Sequence, residues 1–170
     1  MQFKEYQALV EKYIAHDCRE VNFQNRVILI FLESLLKDKK SIEIVDVSTQ
    51  YKNRETKLHT RKEYAGQSTP DLLIAENWDY NNKNNSNINY LAVVEIKIPK
   101  VSEMTNVHTK SEIECYMNLG RKVILTNCYQ WDFYIPQQSN SVKTVSLYHE
   151  NKWNDIQQWN VLCDYIKKFI

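Results

Sequence analysis

The chain reads as an α/β protein. The expected architecture is a central mixed β-sheet, an antiparallel meander plus a parallel strand after a crossover helix, flanked by α-helices. Three observations predict it. Apolar residues recur at helical spacing near both ends of the chain. Between the ends lie short apolar or alternating runs of strand length, separated by polar or turn-rich segments. One helical pattern, from His108 to Leu119, falls between two such runs, which permits a right-handed crossover and a parallel pair.

The elements follow in order. Phe3, Tyr6, Leu9, Val10, Tyr13 and Ile14 line one face of a helix over 3–15, and His16-Asp17-Cys18 breaks it. A second helix runs from about Glu20 to Lys37, with Phe23, Val27, Ile28, Phe31, Leu32, Leu35 and Leu36 on its apolar face. The positive charge of Lys37 to Lys40 suits its C-terminus. Residues 42–51 read as a strand, with Ile42, Ile44, Val45 and Val47. A turn-rich segment, Tyr64 to Ser68, leads into Pro70 and a strand at Leu72 to Ile74. Asn81 to Asn89 holds six Asn in nine residues and reads as a mobile surface connection. Leu91 to Lys97 is a strand that Pro99 stops. The helix over 108–119 is closed by Gly120 in the position after its C-cap. Strands follow at 122–126, 131–135 and 142–148, and a helix at 154–169 carries Ile156, Trp159, Leu162, Cys163, Ile166 and Phe169. The alternation over 131–135 buries Trp131 and Phe133 and assigns them no function.

Composition narrows the function classes. The 170 residues suit one domain, 1–170, with no repeat and no linker. No apolar run approaches a membrane span, and the N-terminal segment lacks a signal-peptide core, so a cytoplasmic location is expected. Only Gly66 and Gly120 occur, which excludes the Gly-rich dinucleotide fingerprint and the P-loop. Cysteines at 18, 115, 128 and 163 have no zinc half-site spacing and are expected to be reduced core residues. A net charge of +1 does not announce nucleic acid, so any footprint must be local. The basic stretch 52–62, with Arg61 and Lys62 at its end, is either such a footprint or a solvated loop.

Charge also appears where burial should forbid it. Glu95 interrupts an apolar strand, and Lys97 shares its face because strand side chains alternate. If the strands at Leu72 and Glu95 form a hairpin, Asp71 lies near Glu95, and two carboxylates converge with one ammonium. Such a cluster needs a reason. A cation bound by hard oxygen ligands, Mg²⁺ or Mn²⁺, supplies one. The plainer alternative is a strand-end carboxylate beside a Glu95–Lys97 ion pair.

Pro70-Asp71, with Glu95-Ile96-Lys97 twenty-four positions after Asp71, resembles the P-D…(D/E)-x-K signature of the restriction-endonuclease-like nuclease superfamily. Within it, the chain is similar to the N-terminal nuclease domain of type I restriction enzyme motor subunits. The likeness spans a core of about 20–135, with the strand and helix of about 142–170 beyond it. The resemblance implies a restriction-endonuclease-like core and a Mg²⁺-dependent endonuclease, with DNA as substrate, in a restriction or defence setting. It implies Asp71, Glu95 and the Ile96 carbonyl as metal ligands and Lys97 as the catalytic lysine. Superfamily members often place a glutamate on the helix before the meander, which makes Glu20 a candidate contact to the metal or its waters. An acid at a helix N-terminus is equally ordinary. Glu112 and Tyr116, four apart on one helix face, occupy the places of a Gln-x-x-x-Tyr motif with Glu in place of Gln. Lys110, with His108 and Lys100 nearby, is a candidate phosphate contact. Were the chain a fragment, the resemblance implies a C-terminal motor domain or partner subunits. Two rivals stand beside the nuclease: a catalytically silent nucleic-acid- or protein-binding module on the same fold, and an α/β domain that meets no nucleic acid.

Overall fold

Period-two alternation divides every central strand between two apolar layers, and these layers organise the molecule. The computed structural model describes residues 1–48, 68–79 and 87–170. The basic stretch 52–62, with Arg61 and Lys62, and most of the Asn-rich tract lie outside the described residues.

Helix α1 (Phe3–His16) buries Phe3, Tyr6 and Val10. The helix read over 20–37 is composite. A short α2 (Glu20–Phe23) passes through a π-helical turn (Gln24–Ile28) into α3 (Leu29–Leu36). Strands β1 (Ile42–Asp46), β2 (Leu72–Glu76) and β3 (Asn89–Ile96) form an antiparallel meander, with a register shift between Ile74 and Ala75. Then α4 (Val101–Thr105) and α5 (Val107–Asn118) cross over to β4 (Val123–Thr126), which lies parallel to β3. Strands β5 (Gln130–Tyr134) and β6 (Lys143–Ser146) complete a six-stranded mixed sheet in chain order. A small hairpin, β7 (Tyr148–His149) and β8 (Lys152–Trp153), precedes α6 (Ile156–Phe169).

One apolar layer joins α1, the composite helix and α6 to Leu72, Ile74, Ala92, Val94, Ile96, Ile124, Trp131, Phe133 and Val145. The other joins Met104 of α4 and Ile113 and Tyr116 of α5 to Leu73, Ala75, Val93, Val123 and Leu125. The protein is thus a mixed α/β structure with helices on both faces of the sheet.

Four details differ from the sequence-based expectation. β1 ends at Asp46, where the Ser48 hydroxyl and amide turn back onto the Asp46 carboxylate at 2.6 and 3.0 Å. α4 has no apolar periodicity long enough to announce it. The strand expected over 142–148 stops at Ser146, and a two-residue turn at Glu150 and Asn151, both with positive φ of 49° and 63°, folds β7 onto β8. Such turns usually carry Asn-Gly, so Glu-Asn hid the hairpin. Of the cysteines, Cys128 is buried and Cys18 is exposed, and all four are free thiols. Among the described residues, no helix is long and apolar enough to cross a membrane.

Candidate active site

β2 enters the sheet paired with β3 so that Leu72 faces Val94, which brings Asp71, one residue earlier, to the level of Glu95. The Asp71 amide donates to the Val94 carbonyl at 3.1 Å. Its carboxylate Oδ2 accepts from the Ile96 amide at 2.7 Å. The hairpin expectation therefore holds. Glu95 belongs to the series Leu73, Val93, Leu125 on the α5 side of the sheet, and only 4% of its surface is exposed. The Lys97 amide donates to the Thr126 carbonyl at 2.8 Å, continuing the parallel ladder one residue past β3. Its side chain consequently shares Glu95's face. Lys97 Nζ donates to Glu95 Oε1 at 2.6 Å and to Glu112 Oε2 at 3.1 Å.

α5 covers this corner. Tyr116 is fully buried and donates its hydroxyl to Glu95 Oε2 at 2.9 Å. Both Glu95 oxygens are therefore held, one by Lys97 and one by Tyr116. Glu112, one turn earlier, takes Lys97 on one oxygen and lies 3.4 Å from the exposed His108 Nε2 on the other. The Glu112/Tyr116 pair grips the two central charges of the site, Lys97 and Glu95. Its spacing was visible in the sequence, but its targets were not.

The electrostatics follow from burial. Asp71 is pushed up to about 7, first by burial; the Ile96 amide opposes the shift, and the nearby negative charge of Glu20 adds to it. Glu95 is raised well above the ordinary carboxylate range by burial and then by Asp71, with Lys97 opposing. Burial lowers Lys97, but Glu95 and Glu112 outweigh it and hold the ammonium above its ordinary value. Tyr116 is raised by burial and by the charge of Glu95. Glu20, half-buried at the start of α2, is raised by burial, is opposed by Lys97, and senses Glu112 and Glu103. Three carboxylates thus close on one ammonium, with Glu20 and Glu103 adding charge from the rim. A pair of carboxylates destabilised by burial and by each other is stabilised by a divalent cation.

Among the described residues, no group of three or more His, Cys, Asp or Glu side chains is gathered to hold a metal ion. The donor set that fits is smaller: Asp71, Glu95 and a main-chain carbonyl such as that of Ile96. Mg²⁺ takes such a set, because it binds through one or two carboxylates and keeps several waters. Lys110, two residues from Glu112, projects from another side of α5, where it lines a cavity with Met104, Ile113 and Met117. It does not join the Asp71–Glu95–Lys97 cluster. Two residues were missed by sequence reasoning. Half-buried Glu103 of α4 contributes charge to the corner, and Gln24 reaches Asp71 from the π-helical turn. Gln24 stands four residues after Glu20, and that shared helical face was the available signal.

The chain matches no known family model, no characterised protein and no solved structure.

Proposed function

We propose that the protein is a metal-dependent nuclease with a restriction-endonuclease-like core, hydrolysing phosphodiester bonds of DNA in a restriction or defence setting. The observation that carries the proposal is the convergence of Asp71, Glu95 and Lys97 at the end of a buried β2–β3 hairpin, with Glu95 and Lys97 2.6 Å apart. The order of a helix, an antiparallel meander, a crossover helix and a parallel strand supports the same class.

Asp71, Glu95 and the Ile96 carbonyl would hold Mg²⁺ or Mn²⁺. Such a cation lowers the pKa of a bound water and neutralises phosphate charge. Everything else is the work of the chain. The Ile96 amide aims the Asp71 carboxylate, and Tyr116 fixes the Glu95 carboxylate from the helix side. Lys97, kept protonated by its two carboxylate neighbours, orients a water nucleophile and steadies negative charge developing on phosphate. The second carboxylate on Lys97, Glu112, favours one second reading: a catalytically silent module that keeps the fold and binds nucleic acid or protein.

A plasmid digest separates the two. Wild-type protein should cleave with Mg²⁺ and not in EDTA, and Asp71→Ala and Glu95→Ala should abolish cleavage while thermal unfolding remains cooperative. Cleavage undiminished in both variants would sink the assignment. A gel shift in low salt without cleavage supports the silent module, since phosphate binding weakens as salt rises.

A further inference from the structure

The Asp71 main chain is held from an unexpected quarter. Its carbonyl accepts from the Val47 amide just beyond β1 at 3.3 Å and from Gln24 Nε2 at 3.2 Å. Gln24 is a buried polar residue, 4% exposed, and the first residue of the π-helical turn. Its amide also reaches Ser48 Oγ at 3.3 Å, and Ser48 is tied to Asp46 at 2.6 Å. A buried amide in an otherwise apolar helix face costs free energy unless it is hydrogen-bonded. A π-helical turn gives up regular hydrogen-bond geometry and tends to occur at functional sites. Both features act on one point, the peptide that carries the Asp71 carboxylate.

We infer that Gln24 is a positioning residue for the cation site: it locks the Asp71 peptide and so fixes the direction in which the carboxylate faces Glu95. This rests on the nuclease reading for its consequence, not for its geometry. Among the described residues, the carboxylate is held by the Ile96 amide at 2.7 Å, and that bond keeps its length only if the Asp71 backbone stays in register. Gln24 links that register to the helix layer. Glu20, one turn earlier on the same helix, adds negative charge toward the same corner. One end of the composite helix therefore supplies both a rigid hold and part of the field at Asp71.

The test uses Mn²⁺ as the probe and three variants: Gln24→Met, which keeps the shape without the donor, Gln24→Glu, which replaces the donor with an acceptor, and Ser48→Ala, which removes only the other arm of the network. Calorimetric Mn²⁺ affinity should fall about 10- to 100-fold in both Gln24 variants, the usual effect of losing a partner that orients a ligand. Ser48→Ala should bind as wild type. In metal-free protein, hydrogen exchange at the Ile96 amide should quicken in Gln24→Met while global thermal unfolding stays cooperative. Unchanged Mn²⁺ affinity and unchanged Ile96 exchange in both Gln24 variants would overturn the inference. So would an equal loss in Ser48→Ala, which points to general loosening. If wild-type protein binds Mn²⁺ but cleaves no DNA, the nuclease reading fails, and the positioning role survives on the affinity data. If wild-type protein binds no Mn²⁺, both fall.

Discussion

Lys97 decides the charge balance of the site. It is 9% exposed and answers two carboxylates at 2.6 and 3.1 Å. Removing one partner of a buried ion pair leaves the other uncompensated, typically at a cost of about 3–5 kcal/mol. Part of that cost is relieved here, because Asp71 and Glu95 already favour protonation. Lys97→Ala should therefore unfold at lower temperature without metal and recover much of the difference in Mg²⁺. Single-turnover cleavage at saturating Mg²⁺ should fall about 10²–10³-fold, the effect of one positioned electrostatic group. Lys97→Arg should rescue poorly, since a planar fork does not replace a compact ammonium between two carboxylates. A wild-type cleavage rate in Lys97→Ala would remove the lysine from the mechanism even if the protein cuts DNA. Tyr116→Phe tests the other hold on Glu95. It keeps the buried ring and drops one hydrogen bond to a carboxylate, worth about 1.5–3 kcal/mol when the carboxylate is ionised. The expected result is a modest loss of stability with a larger loss of Mg²⁺ affinity, read by calorimetry.

At the scale of elements, α5 is the lever that closes the site. Its start is capped by Asn106, whose side chain accepts from the Thr109 amide at 2.8 Å. Its end turns through Gly120 at φ 73°, where the Gly120 amide reaches the Met117 carbonyl at 2.8 Å. The sequence anticipated that glycine correctly, because a helix commonly ends on a left-handed residue. No atom lies within 4 Å of a Cβ built at Gly120, so a substitution there meets backbone strain and no clash. Gly120→Ala should cost about 1–2 kcal/mol in urea unfolding, and Gly120→Asn less. Equal stability of all three proteins would mean that the turn after α5 tolerates another conformation. The π-helical turn, by contrast, was not legible. The apolar residues at 23, 27, 28, 31, 32, 35 and 36 all fall at helical spacings of one, three or four, so the sequence reads as a regular helix from Glu20 onward.

At the scale of the whole molecule, the buried carboxylates link stability to pH. Asp71 titrates at its ordinary value of 3.8 in the unfolded chain and at about 7 in the fold. Between those values the folded state holds a proton that the unfolded state has released, so stability falls as pH rises through this window. Glu95 is shifted the same way, whereas Lys97 stays charged in both states across the window and contributes no slope. Metal-free protein should therefore be more stable near pH 5 than near pH 8. Asp71→Asn should flatten the difference. A bound cation favours the ionised pair, so Mg²⁺ at about 100 times its Kd should add about 2.7 kcal/mol at pH 8. Thermal unfolding at both pH values, with and without Mg²⁺, checks each arm. An unchanged pH slope in Asp71→Asn would place the titrating groups elsewhere.

Local chemistry was enough to determine most elements and the core of the site. Helical periodicity marked α1, α3, α5 and α6, and period-two alternation put Glu95 and Lys97 on one face. The P-D and E-x-K segments pointed to Asp71 beside Glu95, because adjacent antiparallel strands need only their register to meet. Tertiary structure alone decided what surrounds that pair. Tyr116 reaches Glu95 across 21 residues and Glu112 reaches Lys97 across 15, because a crossover lays α5 over that face of the sheet. Gln24 reaches Asp71 across 47 residues, from the helix layer on the far face. Periodicity records which side of an element is buried, but not which other element buries it. The partners of a buried charge are therefore settled only when the layers pack.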